Sequence, residues 1–236
     1  GAPVMGEAEK PRQLPLDLGH GTGYSRDDLV VSPANSEAVA LVDHWPDWPS
    51  PVVVLAGPIG SGKTHLASIW REQAGAVRLE GRALGESWPG LGDRPVLVDD
   101  IDTGPFSEQG LFHLINTVRG AGSHLLLTAR RFPSAWDVTL PDLSSRLKAA
   151  ATVEIHEPDD LLLSGVITKL FSDRQVEVEP HVVQYLARRI ERSLATAMRV
   201  VDRLDRMALE QKTRITRALA AEVVSAMDEG QGEFDL

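Results

Sequence analysis

Five short apolar runs mark the first two thirds of the chain: Val52–Ala56, Ala76–Leu79, Val96–Val98, Leu125–Leu127 and Thr152–Ile155. Each has strand length, and the stretches between them suit helices. This alternation predicts a parallel sheet sandwiched by helices. From about residue 158 the spacing changes. Leu161, Leu162, Val166, Ile167, Leu170 and Phe171 recur at helical intervals, as do Val182, Val183, Leu186 and Ile190, then Ala197, Val200, Val201, Leu204 and Leu209. Pro180 is placed to open one of these helices. The organisation expected is a tail over 1–24, an α/β subdomain over 25–157, a helical subdomain over 158–227 and a frayed C-terminal tail over 228–236. The first zone is rich in Gly, Pro and charge, has no periodicity, and reads as flexible.

Composition narrows this picture without changing it. At 236 residues the chain can bury a large core, and 42% hydrophobic with 25% charged residues is ordinary for a globular protein. Cysteine is absent, which excludes disulfides and thiolate metal sites. No apolar run approaches the ~18 residues of a membrane span, and no signal peptide is visible, so the expected location is the cytoplasm with no membrane partner. The net charge of −10, from 24 basic and 34 acidic residues, argues against DNA binding through a broad basic face.

Candidate chemistry begins at Gly57–Thr64, which reads Gly-Pro-Ile-Gly-Ser-Gly-Lys-Thr and matches the phosphate-binding pattern G-x-x-x-x-G-K-S/T. An apolar strand precedes it and a helical run, His65–Trp70, follows, which is the context such a loop requires. Glycines at 57, 60 and 62 let the backbone N–H groups around Ser61 curl about phosphate oxygens, and the helix N-terminus adds partial positive charge. Lys63 is expected to reach the β- and γ-phosphates, Thr64 to ligate Mg²⁺, and His65 to join the nucleotide-binding set. A second site, Val96-Leu97-Val98-Asp99-Asp100, is an apolar strand ending in carboxylates beside that loop. Asp99 is the candidate Mg²⁺ holder and Asp100 the candidate base that orients water. Asp102 is near but less well placed.

The loop, Val96–Asp102, the run Leu125–Thr128 and Ser144-Ser145-Arg146-Leu147 together resemble the AAA+ domain of the bacterial replication initiator DnaA, over roughly Leu29 to Met227. The initiator continues into a helix-turn-helix domain that reads DNA. No counterpart is expected here, and no direct sequence-specific DNA binding. The tail reading Gln13-Leu14-Pro15-Leu16-Asp17-Leu18, with Trp45–Pro49 before the loop strand, is similar to the Hda-type regulators, DnaA homologues that bind the replication sliding clamp. The resemblance implies an AAA+ core with a five-stranded parallel sheet and a C-terminal helical lid. It implies a bound ADP or ATP with Mg²⁺, and DnaA and the β sliding clamp as partners. AAA+ domains assemble head to tail, so a homo-oligomer is also implied.

The resemblance also assigns roles. Gln13, Leu14, Leu16 and Leu18 would dock on the clamp, Leu16 and Leu18 as apolar anchors; the alternative is a segment packing back on its own domain. Arg146 falls on the arginine-finger motif, against the commoner alternative of a surface arginine in an i,i+4 pair. Arg192 is the candidate sensor-2 arginine, with Arg188, Arg189 and Arg199 as competitors, and Thr128 fits sensor 1. Val30, Val31 and Pro33 are expected to line the adenine pocket. Asp100 stands where many AAA+ enzymes carry Glu, so hydrolysis by this chain is expected to be slow. An autonomous ATPase such as a helicase or clamp loader, a DNA-binding initiator paralogue and a small-molecule kinase are the competing readings. A GTPase is disfavoured because no Asn-Lys-x-Asp motif is present.

Overall fold

All five apolar runs form strands, because continuous Val, Leu and Ala segments are stable only when both faces are covered. The computed structural model describes residues 26–234. A 3-10 turn at Arg26–Asp28 leads to helix α1 (Ser36–His44). Then follow β1 (Val52–Ala56), α2 (Lys63–Ala74), β2 (Val77–Arg78), β3 (Val96–Val98), α3 (Glu108–Gly120), β4 (Leu125–Ala129), α4 (Pro141–Ala149) and β5 (Ala151–Glu154). The strands make one parallel sheet in the order β2-β3-β4-β1-β5. In β1, which lies between β4 and β5, every residue is buried. The edge strand β2 shortens the expected Ala76–Leu79 run to Val77–Arg78, while β4 extends through Thr128 to Ala129.

Alternate strand residues feed two cores. Val52, Val54, Val96, Val98, Leu125 and Leu127 pack against α3 and α4 through Leu111, Leu114, Ile115, Leu143 and Leu147. Val53, Leu55, Leu97, Leu126 and Val153 pack against α1 and α2 through Val39, Val42, Leu66 and Trp70. The Trp45–Pro49 stretch closes the second core: Trp48 stacks on Trp70 with ring centroids 5.2 Å apart, and Trp45 meets Trp70 edge-on at 6.2 Å.

A third core belongs to α5 (Asp160–Asp173), α6 (Pro180–Arg189), α7 (Leu194–Gln211) and α8 (Arg217–Phe234). Its centre is Leu163, Ile167, Leu186, Ala197, Val200, Val201, Leu204 and Ala220. Two expected members of the apolar stripe stand outside: Leu161 and Leu209 are 63% and 71% exposed. Each sits near the end of its helix, off the buried face. Helix α8 also runs to Phe234, where fraying after Met227 was expected; Val223, Val224 and Met227 hold its middle on the lid core.

A strap over 26–32 ties the lid to the sheet subdomain. Arg26 grips Asp43 of α1 with two bonds of 2.7 and 2.9 Å, Lys169 of α5 pairs with Asp28 at 3.2 Å, and the Ser32 hydroxyl bonds Asp159 at 3.0 Å. Val30 packs so close to α5 that a Cβ on Gly165 would meet its Cγ1 at 2.7 Å.

Candidate nucleotide site

The loop between β1 and α2 carries two of its three expected glycines in the left-handed backbone conformation that glycine favours. Gly60 has φ 80°, Gly62 has φ 98°, and Gly62 is the N-cap of α2. A Cβ at Gly60 would fall on the Ser193 hydroxyl, so this position needs glycine twice over. The Gly57 amide bonds the Ala129 carbonyl at 3.0 Å and holds the loop to the end of β4. Ser61 is buried and its hydroxyl bonds the Pro58 carbonyl at 2.7 Å. Lys63 is 6% exposed, and its ammonium donates to the carbonyls of Gly57 and Pro58. Burial lowers its pKa, and the nearby charges of Asp100, Asp102 and Asp99 oppose that shift.

The carboxylates arrive from β3. Asp99 accepts from the Thr64 hydroxyl, 3.0 Å from one oxygen, and from the buried Thr128 hydroxyl on the other. Thr128 also accepts from the Asp100 amide at 2.8 Å, so a single hydroxyl joins both acids to β4. Asp100 takes a left-handed φ of 52°, uncommon outside glycine but tolerated by Asp. Desolvation first, then the charge of Asp99, raises its pKa, while Lys63 and Arg130 pull it down. Asp102 braces the backbone instead, accepting from the amides of Arg130 and Arg131, both at 2.9 Å, and fixing the turn after β4. The hydroxyl of Thr64 and the carboxylate of Asp99 form a hard-oxygen pair of the kind that suits Mg²⁺, which takes few protein ligands beside phosphate oxygens.

Beside the loop runs a narrow apolar cleft between sheet subdomain and lid, lined by Val30, Val39, Leu66, Ile155, Leu162, Val166, Leu170, Leu194 and Met198. Asp28, Asn35, His65 and Lys169 are its polar edge. His65 is buried there and its pKa is lowered by that burial. Of the three residues expected in an adenine pocket, only Val30 lines the cleft. Val31, 43% exposed, and Pro33, in the turn before α1, are exposed and do not line it. Asn35, which sequence reasoning missed, sets this arrangement: its side chain bonds the Val30 carbonyl and accepts from the Ser32 amide, both at 2.9 Å. Asn as an N-cap residue before α1 was the available signal.

Two arginines stand differently. Arg192 bonds Asp160 at 2.6 Å and the Pro158 carbonyl at 3.2 Å, so its guanidinium is committed to the start of the lid. The residues after it reach the loop instead, and the Leu194 amide donates to the Gly60 carbonyl at 2.9 Å. Arg188 and Arg189 close α6, Arg189 lies over Tyr185, and Arg199 bonds Thr196. Arg146 is half-buried on α4, whose Leu143 and Leu147 are anchored in the core. Among the described residues its guanidinium has no ion pair or hydrogen bond, not even with Asp142, one turn earlier. Gln13, Leu14, Leu16 and Leu18 lie outside the described residues.

The family model of the Hda lid domain matches residues 167–223. The chromosomal replication initiator protein DnaA of Roseiflexus castenholzii is 22% identical over 86% of the chain and 48% of its own length. An uncharacterized protein of Haemophilus influenzae is 29% identical over 46% of the chain and 48% of its own length. The chain thus spans about half the length of the curated relatives it matches. Domain III of Thermotoga maritima DnaA superposes with a TM-score of 0.69 at 18% identity, covering 86% of this chain and 95% of that one. AMPPCP-bound DnaA from Aquifex aeolicus gives 0.66 at 18% identity, covering 80% and 67%. Sheet order and superposition agree that the chain has the fold of DnaA domain III, and its residues 167–223 match the lid domain of Hda.

Proposed function

We propose that this chain is a nucleotide-holding regulator of replication initiation that promotes hydrolysis of DnaA-bound ATP. The observation that carries the reading is Arg146: a guanidinium without an internal partner among the described residues, on a helix anchored at Leu143 and Leu147, in a chain with an Hda-type lid. Projected into the nucleotide site of a neighbouring DnaA, it would stabilise charge on the γ-phosphate oxygens, an effect worth ~10³–10⁵ in rate where arginine fingers act. Gln13–Leu18 would dock on the sliding clamp and so confine the activity to active replication.

The chain's own nucleotide, ADP in this reading, serves as a conformational ligand. Lys63 and the loop amides would bind its phosphates, and Val30, Leu66 and Leu170 would cover the base. Thr64 and Asp99 would hold Mg²⁺, which supplies charge neutralisation at the phosphates when bound. Asp100 would orient water, but its side chain is one C–C bond shorter than the Glu of many AAA+ enzymes, so turnover by the chain itself is slow. Filling the cleft favours the arrangement in which lid and sheet subdomain face each other, and this presents Arg146 to the partner.

The test is hydrolysis of labelled ATP pre-bound to DnaA, with this protein and DNA-loaded clamp added singly and together. Hydrolysis should rise only with both, and Arg146→Ala or Leu16→Ala/Leu18→Ala should abolish the rise. If DnaA-bound ATP is untouched while the chain alone turns over free ATP, the autonomous ATPase takes its place.

A further inference from the structure

One more charged residue reaches the acid of the candidate Mg²⁺ site. Arg78 is the last residue of β2 and pairs in register with Leu97 of β3, which places it at the strand ends beside Asp99. Its guanidinium lies 3.9 Å from Asp99 Oδ2 and 3.5 Å from a carboxylate oxygen of Glu80. Asp99 Oδ2 is the oxygen that also accepts from Thr64, and the Asp99 side chain is only 4% exposed. Arg78 and Glu80 are far more open, with side chains 34% and 57% exposed.

These positions set up a conflict. A divalent cation held by Thr64 and Asp99 would share one buried carboxylate with a guanidinium that cannot lose its proton. Like charges this close, shielded from water on one side, repel, so each weakens the hold of the other on Asp99. Arg78 has somewhere to go: Glu80 offers a second carboxylate within reach, so the arginine can leave Asp99 without becoming unpaired. We propose that Arg78 is a positioning residue that competes with the divalent cation for Asp99, with Glu80 as its alternative seat. On Asp99 it supplies positive charge of its own and weakens the requirement for Mg²⁺. On Glu80 it opens the acid to the cation. This rests on the nucleotide-binding reading above and adds a control point to it.

The test uses the full chain with a fluorescent ADP analogue, titrated with Mg²⁺ from EDTA upward. Mn²⁺ occupancy in the presence of ADP, read by electron paramagnetic resonance, is the direct check. Arg78→Ala should lower the half-saturating Mg²⁺ concentration about tenfold, from removal of one close, partly screened positive charge. Arg78→Lys should stay near the parent value. Glu80→Gln, at an exposed site that folding tolerates, should raise the half-saturating concentration about threefold by confining the arginine to Asp99. Equal Mg²⁺ midpoints in all these proteins, with nucleotide still bound, overturn the role of Arg78 alone. No binding of the analogue by any of them, the parent included, overturns the nucleotide reading and this inference with it.

Discussion

At the residue scale, Thr128 is the side chain on which most of the acidic site depends. Its hydroxyl donates to Asp99 and accepts from the Asp100 amide while wholly buried. Thr128→Val keeps the shape, leaves the Asp100 amide without its acceptor and takes from Asp99 one of its two hydroxyl donors, an effect of about 1–3 kcal/mol for a buried group left unpaired. The expected result is a lower midpoint in denaturant melts, restored by Thr128→Ser; an unchanged midpoint for the Val variant would refute the argument. The local pattern around Gly57–Thr64 and Val96–Asp99 was legible because loop, strand and acid must follow in that order for a phosphate site to exist. The Asp100–Thr128 bond was not, since it joins residues brought together only by the β3–β4 pairing. Val31 and Pro33 show the limit of reading by stretch: the chain turns away from the cleft after Val30, and although Asn35 reads as an N-cap, its bonds to Val30 and Ser32 that hold this turn carry no signal in the sequence.

At the scale of elements, α4 is positioned from a distance. Glu108, in the first turn of α3, accepts from the Leu140 and Thr139 amides at 2.9 Å and from the Thr139 hydroxyl at 3.0 Å. These bonds fix the entry to the helix that bears Arg146. The Leu140 amide first, then the Thr139 hydroxyl and amide, hold the Glu108 carboxyl below its ordinary pKa. A depressed carboxylate contributes stability above its unfolded pKa and loses it as pH falls through the folded one. Amide exchange at Thr139 and Leu140 should therefore stay protected at neutral pH and lose that protection below the usual carboxylate range. Glu108→Ala, which removes the acceptor of both amides, should show fast exchange already at neutral pH; protection unchanged in that variant would rule the anchor out. Helix existence was readable from periodicity, but this anchor was not, because nothing in an isolated Glu marks it as an acceptor for amides in another element. The short β2 was legible only as an apolar run, and nothing in the sequence singles out Arg78 at its end, because only the pairing with β3 puts it beside Asp99.

At the scale of the molecule, lid and sheet subdomain are joined by the strap over 26–32 and by the contact of α7 with the phosphate-binding loop. Gly60→Ala should strain a φ of 80° and drive a methyl into the Ser193 hydroxyl. The start of α7 should then exchange amide hydrogens faster while strands β1 and β4 keep their protection. Equal protection of α7 in parent and variant would show that the loop does not seat the lid. The change of spacing near residue 158 falls between the last strand, β5, and helix α5. How the halves meet was not legible, since the strap acts through Asp28, Ser32 and Lys169, which carry no periodic signal.

The bond from the Leu194 amide to the Gly60 carbonyl has main chain at both ends. Side-chain replacement therefore has almost no hold on it, short of proline at 194 or bulk at 60. This part of the joint can pass unchanged through extensive sequence drift, unlike the side-chain bonds of the strap. A chimera carrying the helical half of a DnaA relative on this sheet subdomain should keep this bond to the phosphate loop, provided that the partners of the strap, Asp159 and Lys169, are carried over. Partner choice and nucleotide response could then diversify in separate halves of the molecule while the joint between them stays the same.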